Sequence, residues 1–153
     1  MNHPMIFAAI AAIGLTFSTC NADGPTEQYT VCPSGCDYTS IQDAIDESFA
    51  PSTILVKAGT YNENKINTKG HPFTITGEVA SDGTLLTTIT GAGLDIDDDS
   101  SVFVFDSDET ATTILQDLII TGGSRQENTG GVYINRCSPT IRNCTITGNS
   151  SVI

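Results

Sequence analysis

Asp95, Asp97 and Asp99 alternate along the chain, and Asp106 falls at the twelfth place counted from Asp95. Carboxylates at this spacing supply the first oxygen ligands of a calcium loop, whose twelfth residue closes the site. Ser100 stands where such loops turn on glycine, and Val102 to Phe105 reads as a strand that would carry Asp106 away. The competing reading is a solvated acidic loop. Calcium is therefore the one cofactor this pattern admits. Asp97 and Asp98 are adjacent, and neighbouring side chains on a strand point to opposite faces, so they do not make an acid and base pair for hydrolysis. Tyr61 and Tyr133 offer ring faces on which a sugar can stack, although the chain has four tyrosines and no tryptophan, and partly buried packing at corners competes with that role. No catalytic residue is assigned.

The cysteines suggest cross-links. Met5 to Phe17 is an apolar run of 13 residues, too short to span a bilayer and suited to the core of a secretory signal. Cys20 and Ala22 are small enough for cleavage before Asp23, which defines residues 1–22 as a signal peptide, although Met1 to Pro4 has no Lys or Arg. Lipid anchoring at Cys20 is the minor alternative, because Phe17-Ser18-Thr19 is a poor lipobox. Removal of that segment leaves Cys32, Cys36, Cys137 and Cys144, an even number in an exported chain. Disulfides are the expected use, with three pairings open and the local ones favoured by proximity. Zinc fits worse, since the spacings are irregular and no histidine is near.

The formal charge of −12 comes from 18 acids and six bases. A nucleic-acid partner needs a concentrated basic face, which six scattered bases do not supply. Nothing after the signal is long and apolar enough to be a transmembrane segment.

The elements that must hold these residues are repeats. Ile-Thr-Gly occurs at 75–77, 89–91, 120–122 and 146–148, and residues 115–122 align with 141–148 at an offset of 26. Short strands ended by Gly or Asn turns, repeating with a period in the twenties, indicate a solenoid, because one unit cannot bury its apolar side chains without a neighbour. Residues 23–37 form a polar lead-in containing the CxxxC loop. Ile41, Ala44, Ile45, Ser48 and Phe49 then follow helical spacing, with Ser40 as N-cap and Pro51 as terminator. Strands are expected at 53–57, 65–68, 73–76, 87–90, 102–105, 115–121, 131–135 and 140–147, two to a coil. Segments 102–105 and 131–135 would share one sheet. Ile89, Ile120 and Ile146 would share another, with Asp95 to Asp99 pushed out as a loop. Residues 38–153 are thus one domain, and its ending in mid-repeat suggests C-terminal truncation.

Tyr38-Thr39-Ser40-Ile41-Gln42-Asp43-Ala44-Ile45, Ile54 to Glu63, Gly130 to Ile134 and Ser138 to Asn149 together resemble the right-handed parallel β-helix proteins of the pectin-lyase-like superfamily. The resemblance implies an all-β fold, a right-handed parallel β-helix of three to four coils with an N-terminal α-helical cap. The superfamily includes pectate lyases, polygalacturonases and epimerases as well as proteins without assigned activity, so the fold alone fixes no reaction. Its lyases use calcium-binding carboxylates and a basic residue, often arginine. Arg142 takes the repeat position of Gln116 and reads as outward-facing, as does Arg136. Its hydrolases pair aspartates on neighbouring coils beside a histidine, and His71, before Pro72, reads as a turn residue. The expectation is a secreted or cell-surface module, non-catalytic, presenting a face to a polysaccharide or a surface protein. The alternative is the N-terminal part of a polysaccharide-acting enzyme of the lyase, hydrolase or epimerase type.

Overall fold

A computed structural model describes residues 27–93, 100–126 and 130–152. The expected signal peptide, Cys20 and the Asp95, Asp97, Asp99 loop lie outside them. The described chain is built mostly of strands, with one short helix and parallel sheets. Its elements are β1 (Glu27–Val31), α1 (Ile41–Glu47), β2 (Ser52–Val56), β3 (Gly59–Asn62), β4 (Phe73–Gly77), β5 (Thr87–Thr90), β6 (Phe103–Phe105), β7 (Ile114–Gln116), β8 (Ile119–Thr121), β9 (Ser124–Gln126), β10 (Val132–Ile134), β11 (Thr140–Arg142), β12 (Thr145–Ile146) and β13 (Ser150–Val152).

One sheet runs β1-β2-β4-β7-β11 and a second β3-β5-β8-β12, while β6 pairs with β10 and β9 with β13. Every one of these strand pairings is parallel. The last two rounds keep the offset of 26 at three successive strands, with Ile114 beside Thr140, Ile119 beside Thr145 and Ser124 beside Ser150. As expected, Ile89, Ile120 and Ile146 share a sheet, and so do the segments around Phe103 and Val132.

Parallel register stacks like on like and makes apolar columns. Ile54, Ile75, Leu115 and Ile141 form one, and Tyr61, Ile89, Ile120 and Ile146 another. Phe103 and Phe105 on β6, with stacked rings 6.2 Å apart, are fully buried as well. Burying each of these side chains contributes roughly 1.5–3 kcal/mol.

The structure corrects three details of the expected layout. The segment 115–121 is two strands, because Asp117 takes a φ of 60° between β7 and β8, and Asn143 repeats the break with a φ of 49° between β11 and β12. The chain from one strand of a sheet to the next therefore has more than two straight pieces. Residues 65–68 are not a strand: Lys65 and Lys69 both adopt positive φ, and between them Ile66 makes only a single parallel bridge to Phe103. Corners are not reserved for Gly and Asn, since Asp108 and Arg136 also take positive φ. Gly77 is needed for a different reason, because a Cβ there would collide with the Asp117 carbonyl of the next round.

The helix packs against β1 and β2. Ser40 is the N-cap and its Oγ accepts from Asp43 N at 3.2 Å. Glu63, at the end of β3, accepts from Ile41 N at 2.8 Å and Gln42 N at 3.1 Å, so its carboxylate neutralises amides that a helix of seven residues leaves unpaired. Ile41, Ala44 and Ile45 are buried beneath it. The lead-in is closed by the Cys32–Cys36 disulfide.

Candidate functional site

The residues singled out for chemistry are scattered over the described chain. Tyr61 occupies the inward column beside Ile89, is 6% exposed, and donates its hydroxyl to Val31 O at 3.1 Å and Lys57 O at 3.0 Å. Burial, with the charges of Glu78 and Glu63, pushes its phenol above the ordinary value. A ring held in this way has no face for a sugar, so the substrate-binding role expected of Tyr61 is corrected to core packing. Tyr133 stands differently. It takes the opposite face of β10 from Ile134 and is only half-buried, and the Arg125 guanidinium lies 3.6 Å from its ring centroid.

Cys137 and Cys144 are free thiols, which corrects the expected cross-link at these positions. They lie at opposite ends of β11 and face different partners. Cys137 Sγ donates to Glu109 Oε2 at 3.1 Å, and Cys144 Sγ lies 3.4 Å from Arg142 O. Burial raises both thiols, helped by the bond to Glu109 at Cys137 and by the charge of Asp117 at Cys144. Neither is an activated nucleophile, since the thiolate is the reactive form.

Glu109, which the sequence reading passed over, is a buried carboxylate at 2% exposure. It collects donors from three separate segments: Thr68 Oγ1 at 3.0 Å, Gly70 N at 3.0 Å, Ser107 N at 2.9 Å and the Cys137 thiol. Burial works to raise its pKa, yet the donors from Cys137, Ser107 and Gly70 outweigh it and leave the carboxyl below its ordinary value. It is therefore an ionised clamp with its acceptor capacity filled. Its flanking run Asp106-Ser107-Asp108-Glu109-Thr110 is uniformly polar, so no local pattern marks the one acid that turns inward.

Asp106 accepts from Asn67 Nδ2 at 2.9 Å and Ser107 Oγ at 3.1 Å, consistent with a surface corner. Among the described residues no group of three or more His, Cys, Asp or Glu side chains converges to hold a metal. His71 is an exposed turn residue whose amide donates to Thr68 O at 3.0 Å. Arg142 faces outward, with Nε donating to Gln116 Oε1 of the preceding round at 2.6 Å.

What the fold does assemble is a set of outward hydroxyl rows. Thr88, Ile119 and Thr145 stand side by side on β5, β8 and β12; Thr90 and Thr121 form the next row, which Thr147 extends. Neighbouring strands lie about 4.8 Å apart, so the rows are regularly spaced. Thr145 and Thr147 are exposed and Thr88 and Thr121 half-buried, whereas Thr90 is buried and accepts from Ala92 N at 3.1 Å. The signal was present in the sequence as Thr-Ile-Thr at 74–76, 88–90 and 145–147, because alternation sends both threonines to the face opposite the buried isoleucine. Below these rows a cleft of about 420 Å3 opens between Gly130–Val132 and Ile146–Ser151. Asn149 braces it, accepting from Gly123 N at 2.9 Å and donating to Ile120 O at 3.1 Å.

Comparison of the chain with protein-family models, with curated proteins and with solved structures gives no match in any of the three.

Proposed function

We propose that this chain is an exported or cell-surface module with the right-handed parallel β-helix architecture of the pectin-lyase-like proteins it resembles, and that it binds polysaccharide without cleaving it. The observation that carries the reading is the register of the outward rows, which sets Thr88, Thr121, Thr145 and Thr147 on one sheet face. Hydroxyls at fixed spacing exchange hydrogen bonds with the hydroxyls of a sugar chain, and many weak contacts along a polymer sum to useful affinity. The thiols and the buried Glu109 are occupied in holding the fold, which favours binding over bond cleavage. No helix among the described residues is long and apolar enough to cross a membrane.

Affinity electrophoresis through gels containing neutral or uronate polysaccharides tests this, run beside an assay for 4,5-unsaturated products and reducing ends, with and without calcium. Retardation by at least one polymer, weakened severalfold in the double variant Thr145→Val, Thr147→Val, is the expected result. Product in either channel, or migration unchanged by every polymer, overturns it.

A further inference from the structure

The outward rows also include β3, which lies beside β5 with Thr60 against Thr88 and Asn62 against Thr90. One row is therefore Thr60, Thr88, Ile119 and Thr145, on the four strands of this sheet. The other is Asn62, Thr90 and Thr121, extended by Thr147. Thr60 and Asn62 are exposed, like Thr145 and Thr147. Each row crosses the strands, with a step of about 4.8 Å from one strand to the next and about 6.6 Å between the two rows. That step is close to the length of one sugar residue in an extended chain. Ile119 and the threonine methyl groups alternate with hydroxyls along the rows, as apolar C–H faces alternate with hydroxyls around a pyranose.

What repeats along the rows carries no charge. Residues 58–63, 86–91, 117–122 and 143–148, which contain them, have two acids, Glu63 and Asp117, and no base. The bases nearest in sequence are Lys57, Lys65 and Arg142, none of them on a row. Lys57 is paired with Glu78 at 2.9 Å, Lys65 lies past the end of β3, and Arg142 is on the neighbouring sheet with its Nε on Gln116 Oε1. A polyuronate presents a carboxylate on every sugar and needs cations at the same interval. Three bases off the rows do not supply them, and a chain of net charge −12 repels such a polymer.

We propose, resting on the polysaccharide-binding reading above, that the ligand is a neutral, extended polysaccharide lying across β3, β5, β8 and β12, and that polyuronates are refused. Hydroxyls donate and accept, so the rows pair with sugar hydroxyls in either direction along the polymer. Selection against the acidic polymers comes from missing cations on an acidic chain, a repulsive element that shape alone does not provide.

Affinity electrophoresis tests this with hydroxyethyl cellulose, mixed-linkage β-glucan and galactomannan as neutral polymers and with polygalacturonate and alginate as acidic ones, each in calcium and in chelator. At least one neutral polymer should retard the chain, to the same degree at low and high salt, because no ion pair is screened. Neither uronate should match it. Thr60→Val on β3 and Thr147→Val beyond β12, at opposite ends of the rows, should each weaken retardation about threefold or more. Thr53→Val, outward on β2 of the other sheet, should leave it unchanged. An unchanged melting temperature shows that each variant folds. Retardation by a uronate equal to or stronger than that by the neutral polymers overturns the proposal and leaves binding itself standing. Neutral binding that salt abolishes, or that Thr60→Val and Thr147→Val do not weaken, overturns it as well. No retardation by any polymer overturns both the proposal and the reading on which it rests.

Discussion

The capped end and the open end of the stack use the same columns of side chains to different effect. Ile89 and Ile120 are completely buried, while Ile146, next in their column, is half exposed; Phe105 is likewise buried and its register partner Ile134 is not. Residue type and strand position are matched along the isoleucine column, so the difference there isolates what a neighbour on the second side contributes. At the capped end that neighbour is α1, which buries Ile41, Ala44 and Ile45 over the first round and is tied down by Glu63.

The sharpest way to break the comparison is to truncate one column at two depths. Ile120→Ala should destabilise by about 3–4 kcal/mol in urea unfolding, through lost burial and the cavity it leaves, and Ile146→Ala by about 1 kcal/mol or less. Equal losses would mean that Ile146 is covered in solution.

Glu109 lies between the two ends and gives the next largest effect. Its carboxyl is lowered in the folded protein, so the stability it contributes is complete above the ordinary glutamate value of about 4.3 and is lost as pH falls through the lower folded value. Glu109→Gln should cost about 1–3 kcal/mol at neutral pH and flatten the acid side of the melting-temperature profile. Alkylation of Cys137 should be slow in the parent and faster in this variant, because the thiol loses the carboxylate that raises it.

Glu63→Ala tests the capped end directly, with an expected loss of about 1–2 kcal/mol and early amide exchange in residues 41–47 while the β7–β8 strands stay protected. Smallest of all is the Lys57–Glu78 pair at 2.9 Å. Both side chains are about a third exposed, so Lys57→Met should change stability by under about 1 kcal/mol, less in high salt.

Much of this layout was readable before any coordinates. Strand 87–90 and the sharing of one sheet by Ile89, Ile120 and Ile146 follow from a repeated apolar-polar alternation, and the helix follows from Ser40 and the spacing of Ile41, Ala44 and Ile45, whereas Ser48 and Phe49, read as part of the same face, lie beyond its end at Glu47 and Phe49 is exposed. The breaks between β7 and β8 and between β11 and β12 were missed, because Asp117 and Asn143 interrupt runs whose side-chain pattern alone reads as continuous strand. Tyr61 was left between a sugar platform and partly buried packing, because its inward column becomes visible only when Ile89 is stacked beside it. Glu109 was invisible for a similar reason: Thr68, Gly70 and Cys137, which recognise it, lie 28 to 41 residues away.

Glu63 also makes the helix dependent on a distant part of the chain. Seven residues are too few to hold a helix in isolation, so α1 has little reason to exist until something fastens its first amides. The carboxylate that does so comes 22 residues later, beyond β2 and at the end of β3. The helix therefore rests on a contact made far along the chain rather than on its own length.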